Sequence, residues 1–200
     1  MDLDLGQTRE ELTKTLYDLL AANHMTDGVH IRLMVSRGIK ATPYQDPRVT
    51  ISPPTMQDPK LNSHSKLNCI LACIQATKAG ADEALMLDPQ GFVATCNSTH
   101  FFIVKRGEVW TSSGDYCLGG ITRGNVIRVC QENNIPVHER TFSLTDVYSA
   151  EEAFVTGTFA GVAPVQSVDG RAIGTSQRGP VTERLQQLYQ ALIHHDCTNS

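Results

Sequence analysis

The 200-residue chain is long enough for one sizeable domain or two small ones, and its 40% hydrophobic and 19% charged content marks a globular rather than a disordered protein. A net charge of -4 with no basic stripe speaks against nucleic-acid binding. No apolar run approaches the ~18 residues of a membrane span, and the acidic start MDLDLGQTREEL reads as neither a signal nor a transit peptide.

In chain order, residues 7–22 are predicted as an amphipathic helix with Leu12, Leu16, Leu19 and Leu20 on one stripe, opened by a Thr8–Glu11 capping box. NHMTDG turns the chain, and VHIRLMVSRG, 29–38, reads as a strand. Residues 41–60 hold five prolines and read as a loop with a short edge strand, then a linker; a domain boundary is expected near 53–59. In KLNSHSKLNCILACIQATKAG, 60–80, a strand end runs into a buried helix over 66–79, with Leu67, Ile70, Leu71 and Ile74 as its stripe. EALMLD, GFVATCN, HFFIVKRG and GEVWTSS read as four strands. LGGITRGNVIRVCQENN is a glycine turn entering a helix, IPVHERTFSL a strand and loop, and TDVYSA a short helical piece. EAFVTGTFAGVAPVQSVDG gives two more strands, and GPVTERLQQLYQALIHH closes the chain with a helix whose first turn suits Pro180. Clustered strands without strict alternation with helices argue for a mixed α+β fold rather than a doubly wound parallel sheet.

The six cysteines, Cys69, Cys73, Cys96, Cys117, Cys130 and Cys197, form no CxxC pair, so reduced thiols in the cytoplasm are expected. Cys69 and Cys73 share a helix face but lack further ligands at metal spacing, so they read as buried small hydrophobes and no metal is expected. A cysteine nucleophile at Cys96 or Cys117 needs a base, and His64, His100 and His138 have no recognisable spacing to either.

Two glycine-threonine turns carry the chemistry. In GGITRG, 119–124, glycines allow close backbone approach, Thr122 offers a hydroxyl, and the following helix start offers free N–H groups and positive partial charge. VTGTFAG, 155–161, repeats the theme with Gly157 and Thr158. Each alone is also an ordinary tight turn, but two such turns on one sheet suit a phosphate gripped from two sides.

The order of these motifs resembles the class IV aminotransferases, the pyridoxal-phosphate enzymes that include branched-chain aminotransferase, D-amino-acid aminotransferase and aminodeoxychorismate lyase. The resemblance runs from about residue 10 to 195 and is densest in NCILACIQATKAGADEALMLDPQGFVATCNSTHFFIV, CLGGITRGNVI and EEAFVTGTFAGVAPVQSVDG. It implies the fold type IV architecture: residues 1–55 as the remnant of a small N-terminal α/β domain, and 56–200 as the larger cofactor-binding α/β domain. It further implies pyridoxal 5′-phosphate, amino-acid and 2-oxo-acid substrates, and a homodimer. Carried over, Ile121, Thr122 and Thr158 hold the phosphate, Gly120, Gly157 and Phe159 shape the turns, and Leu118 packs near the pyridine ring. Arg37, at the end of VSRG, matches a substrate-carboxylate arginine, whose planar fork suits a carboxylate.

Three departures stand beside the match. The family's lysine, the amine that condenses with the cofactor aldehyde, falls at Asn62 here. Lys66, four positions on, and Lys60, two before, are the candidate replacements. The family's glutamate beside the pyridine nitrogen falls at Thr95, a hydroxyl that can bond the nitrogen but cannot stabilise its proton as a carboxylate does. His100 replaces the family's asparagine nearby, either as a compensating polar group or as a packed histidine. Family members are also longer, with N-terminal strands that have no counterpart here. The reading expected from the resemblance is a transaminase using Lys66 or Lys60, with a lyase or racemase on the same scaffold left open. The alternative is a relative without the catalytic amine, serving as a phosphate-ligand binder or assembly subunit.

Overall fold

A computed structural model of the chain describes residues 6–31, 33, 58, 60–62 and 66–198. The chain divides into two units after Ile51. In the first, helix α1 spans Arg9–Ala22. The expected capping box is present: Thr8 Oγ1 accepts from the Glu11 amide at 3.2 Å, and Glu11 Oε2 accepts from the Thr8 amide at 2.7 Å. No residue of α1 is buried, and Leu19 lies open on the surface. Of the strand expected over 29–38, Val29, His30, Ile31 and Leu33 are described and carry no strand assignment. The remainder, with Arg37 and nearly all of the proline-rich stretch, lies outside the described residues.

In the second unit, α2 (Leu67–Lys78) precedes strands β1 (Leu85–Leu87), β2 (Val93–Cys96), β3 (His100–Lys105) and β4 (Glu108–Thr111). Helix α3 (Ile121–Glu132), β5 (Val137–Glu139), α4 (Leu144–Tyr148), β6 (Glu152–Gly157) and β7 (Gly161–Pro164) follow. The chain ends in β8 (Ser167–Val168), β9 (Arg171–Ala172) and α5 (Pro180–Thr198). The main sheet has the order β5-β4-β3-β6-β7. Only β4 and β5 run parallel, because α3 carries the chain between them; the other pairs are antiparallel.

Alternation along β3 sends side chains to two cores. Phe102 and Val104 join Val126, Val129, Phe154 and Leu185 beneath α3 and α5. Phe101 and Ile103 face Val93, Phe142, Val147 and Ile173 on the other side, under β2, α4 and β9. Phe102 and Phe154, register partners on neighbouring strands, stack with centroids 4.9 Å apart. The β3–β4 hairpin turns on Arg106 and Gly107, both at positive φ (55° and 74°), the twist that a two-residue hairpin needs. Glu152, buried at the start of β6, accepts from the Val181 and Thr182 amides at 3.0 and 2.8 Å and from Thr182 Oγ1 at 2.6 Å, so it caps α5 from the sheet.

The mixed α+β reading holds. Two expectations about burial do not. The α2 helix forms, but Leu67, Ile70, Leu71 and Ile74 are between 45% and 61% exposed and only Ala76 is buried. Periodicity identifies a helix face; it does not supply what covers it. On the same helix Cys73 is exposed and Cys69 half-buried, so neither is a core residue. Residues 60–62 form a turn and irregular chain rather than a strand end. The β8–β9 hairpin was not expected, although its Asp169-Gly170 turn, with φ of 52° and 73°, is a common hairpin signal.

Candidate active site

Helix α3 starts at the GITR turn. Its N-cap, Gly120, is extended at φ -70° and ψ 132° and makes no side-chain cap. The first backbone bond of the helix is Gly124 N–H to Gly120 carbonyl at 2.9 Å, so the amides of Ile121 and Thr122 have no helical acceptor. No acidic residue sits in the first turn, leaving the positive end of the helix uncompensated. Thr122 is buried, whereas Ile121 projects outward.

The sheet holds this turn in place through His100 and Thr99. His100 opens β3, and its Nε2 lies 2.7 Å from the Leu118 carbonyl, which also accepts from the Gly120 amide at 2.8 Å. The imidazole fills the space at Gly120, where a Cβ would stand 2.3 Å from the ring Cε1. Across the ladder His100 pairs with Thr156, the residue before Gly157. Thr99 Cγ2 is 3.2 Å from where a Cβ on Gly157 would sit. Thr99 Oγ1 donates to Glu83 at 2.6 Å, and its carbonyl accepts from Thr95 Oγ1 at 2.9 Å and from the Cys96 amide at 3.0 Å. The GITR turn, the GT turn and Thr95 are thus tied to one end of the β3–β6 pair. Behind them, Arg123 Nη2 donates to the Ser112 carbonyl and to Glu139 Oε2, both at 2.7 Å, anchoring α3 to the end of β4 and to β5.

Burial, foremost, and Arg123 push the His100 imidazole below the usual histidine range, against the opposing effects of the Leu118 carbonyl and Glu83. Burial and the nearby Glu83 raise the Cys96 thiol to about 12, which makes it a poor nucleophile and removes it as a catalytic candidate.

The other expected site residues are placed as follows. Thr158 and Phe159 follow Gly157 in the exposed β6–β7 turn. Leu118 is half-buried on the GITR approach. Lys66 is the exposed N-cap of α2, and its carbonyl accepts from Ile70 at 2.9 Å. Lys60 is exposed in a turn closed by its own amide on Asp58 Oδ1 at 2.9 Å. No hydrogen bond or ion pair among the described residues joins either lysine to the two turns. Arg37 lies outside the described residues. The sequence reading missed Thr99, Thr156 and Glu83 as parts of the site; their contacts join residues far apart in the chain and leave no local pattern.

The residues present meet the needs of pyridoxal phosphate unequally along its length. The phosphate end fits: the helix start leaves the Ile121 and Thr122 amides without helical acceptors, and the buried hydroxyl of Thr156 has no hydrogen-bond partner among the described residues. At the ring nitrogen, Thr95 Oγ1 spends its hydrogen on Thr99 but keeps lone pairs with which to accept. At the reacting end Asn62, exposed, offers no amine.

The family described as "Amino-transferase class IV" matches residues 2–168. Branched-chain-amino-acid aminotransferase-like protein 2 of Arabidopsis thaliana is 37% identical over 216 residues, covering 92% of this chain and 39% of the relative. A putative branched-chain-amino-acid aminotransferase of Methanocaldococcus jannaschii is 34% identical over 218 residues, covering 94% of this chain and 75% of the relative. The crystal structure of the branched-chain amino acid aminotransferase from Thermobaculum terrenum in its PLP form superimposes with a TM-score of 0.67 at 31% identity, over 70% of this chain and 47% of that one. The fold is that of the fold type IV aminotransferases. The chain spans less than half the length of the Arabidopsis relative and of that solved structure. Family match, sequence identity and fold agree: the chain belongs to the class IV aminotransferases.

Proposed function

We propose that this chain acts as a pyridoxal-phosphate-dependent aminotransferase, moving an amino group between an amino acid and a 2-oxo acid. The observation that carries the reading is the meeting of the two glycine turns at one end of the β3–β6 pair, with Thr156 buried and unpartnered among the described residues. When bound, the cofactor supplies an aldehyde to receive the amino group and a ring that withdraws electrons from the reacting carbon. The Ile121 and Thr122 amides and Thr158 hold the phosphate, and Gly120 and Gly157 keep the backbone close. Leu118 would pack near the ring, Phe159 shapes the GT turn, and Thr95 would accept a hydrogen bond from the ring nitrogen. Lys66, or Lys60 if the chain bulges there, supplies the amine, and Arg37 receives the substrate carboxylate. The reading also takes the protein as a cytoplasmic homodimer. Among the described residues no helix is long and apolar enough to cross a membrane.

A second reading has its own support. Asn62 at the family's lysine position and an uncharged Thr95 at its glutamate position suit a relative that holds the phosphate without performing the transfer, as a binder or an assembly subunit. Borohydride reduction of the full chain with pyridoxal phosphate, followed by peptide mapping, separates the two. The first reading expects a pyridoxyl label on Lys66 and visible absorbance before reduction. Phosphate-dependent binding with no stable label sinks it and leaves the second.

A further inference from the structure

His100 stands where the resembled family has asparagine, and its surroundings give it a role that rests on the cofactor reading above and goes beyond it. A carbonyl only accepts, so the 2.7 Å contact with Leu118 places a hydrogen on Nε2 whether the ring is neutral or charged. Nδ1 is therefore the atom that titrates. That edge of the ring faces the α3 N-cap: a Cβ on Gly120 would lie 2.3 Å from Cε1 and 2.7 Å from Nδ1. On the same sheet face, directly across the ladder, Thr156 is 0% exposed and its Oγ1 has no partner among the described residues. A buried hydroxyl left unpaired, on the ladder partner of the histidine that touches the helix start, suits an oxygen-bearing anion together with the unpaired amides there.

The charged groups acting on the ring are Arg123, from α3, and Glu83, ahead of β1. Thr156 on β6 and the Leu118–Gly120 turn bring no charge. Burial and Arg123 disfavour the imidazolium, so without a bound anion the ring is neutral at neutral pH. A phosphate dianion at the helix start would reverse that balance, since an opposite charge close by favours the protonated ring.

We propose that His100 is the proton-linked positioning residue of the phosphate cradle: Nε2–H fixes the Leu118–Gly120 turn, and Nδ1 takes up a solvent proton when the phosphate binds. The Leu118 bond survives in both states, so protonation changes charge and leaves the turn in place. Linkage then makes phosphate affinity rise as pH falls toward the range of the free ring.

The test follows the His100 Cε1–H signal of the full chain by NMR through a pH titration, with and without saturating pyridoxal 5′-phosphate. The expected result is an upward move of the His100 midpoint on binding, by about one unit. In parallel, pyridoxal 5′-phosphate affinity is measured at about pH 6 and about pH 8, on either side of the ordinary histidine pKa, for the wild type and for His100→Asn. The wild type should gain severalfold over the variant at the lower pH; about tenfold, the equivalent of one pKa unit, is the ceiling reached only well below the midpoint of the free ring. The comparison cancels the ligand's own ionisation. A merely structural histidine would lower affinity equally at both values. If His100→Asn does not fold, the wild-type titration decides alone. Binding by the wild type with an unmoved His100 midpoint overturns the inference and leaves the cofactor reading intact. Failure of the wild type to bind pyridoxal 5′-phosphate overturns both.

Discussion

Helices α2 and α3 have the same length, 12 residues, and opposite fates. The α2 sequence, LNCILACIQATK, is richer in leucine, isoleucine and alanine, yet only Ala76 is buried. The α3 sequence, ITRGNVIRVCQE, carries two arginines and a glutamate, yet it buries Thr122, Arg123, Val126, Ile127, Val129 and Cys130. The difference lies in what each helix lies against. Helix α3 crosses from β4 to the parallel β5 and must lie on the sheet, and Arg123 ties its first turn to both strands. Among the described residues, no strand precedes α2 to make a crossover of that kind. Burial is thus a property of connection and docking as much as of apolar content. For the proposed site the consequence is direct: the helix whose N-terminus would meet the phosphate buries six residues, and the helix that follows Lys66 buries one.

Thiol labelling gives the largest expected contrast between the two helices. Cys130 on α3 is fully buried and its thiol is raised to about 12, chiefly by burial. Cys73 on α2 is exposed. Iodoacetamide should modify Cys73 faster by on the order of a thousandfold or more, the thiolate deficit of about three units at Cys130 alone. Mass spectrometry over a time course reads the ratio, and comparable rates would break the contrast. Next in size is one substitution made on both helices. Ile127→Ala on α3 should cost about 2–5 kcal/mol in urea unfolding, whereas Ile70→Ala on α2 should stay within about 0.5 kcal/mol. An equal cost would mean that the α2 face is covered in solution.

The smallest effect concerns a contact on the other face of the sheet. The Asp146 carboxyl is held down at about 2, first by the Lys105 ammonium, which bonds it at 2.8 Å, and then by the Ser143 amide. A depressed carboxyl stabilises the fold above its unfolded value, and the contribution is lost as pH falls through the folded value. The window runs from about pH 4 down to about pH 2. Because the pair is partly solvated, its contribution is about 1 kcal/mol rather than the full linkage value. Acid unfolding of Asp146→Asn should lack this part of the pH dependence, and an unchanged acid limb would remove the pair from the account.

Much of the fold was legible because its signals are local. The Thr8–Glu11 capping box, the Pro180 helix start, the strand in HFFIVK and the glycine entry to α3 each sit within a few residues, and each is found where expected. The exposure of α2 was not legible, since periodicity says which face is apolar and nothing about its neighbour. In the site, the two glycine turns were legible one at a time. Their joining was not, because His100 reaches Leu118 across 18 residues and Thr99 reaches Glu83 across 16. His100 stands out in the sequence as a departure from a family asparagine and has no recognisable spacing to Cys96 or Cys117. That Gly120 must lack a side chain because an imidazole occupies the space is a fact of three dimensions.

The Glu152 cap also bears on how the chain reaches its folded state. Its carboxylate, on the strand beside β3, receives the first amides of a helix about thirty residues later. Until α5 docks, that carboxylate faces the core side of the sheet without donors, and Leu185 has not yet closed over Phe102 and Phe154. An ion buried without partners is costly enough to keep water in the gap. The sheet is sealed on this side only with α5 in place, through a contact between residues about thirty apart, of the long-range kind that slows folding.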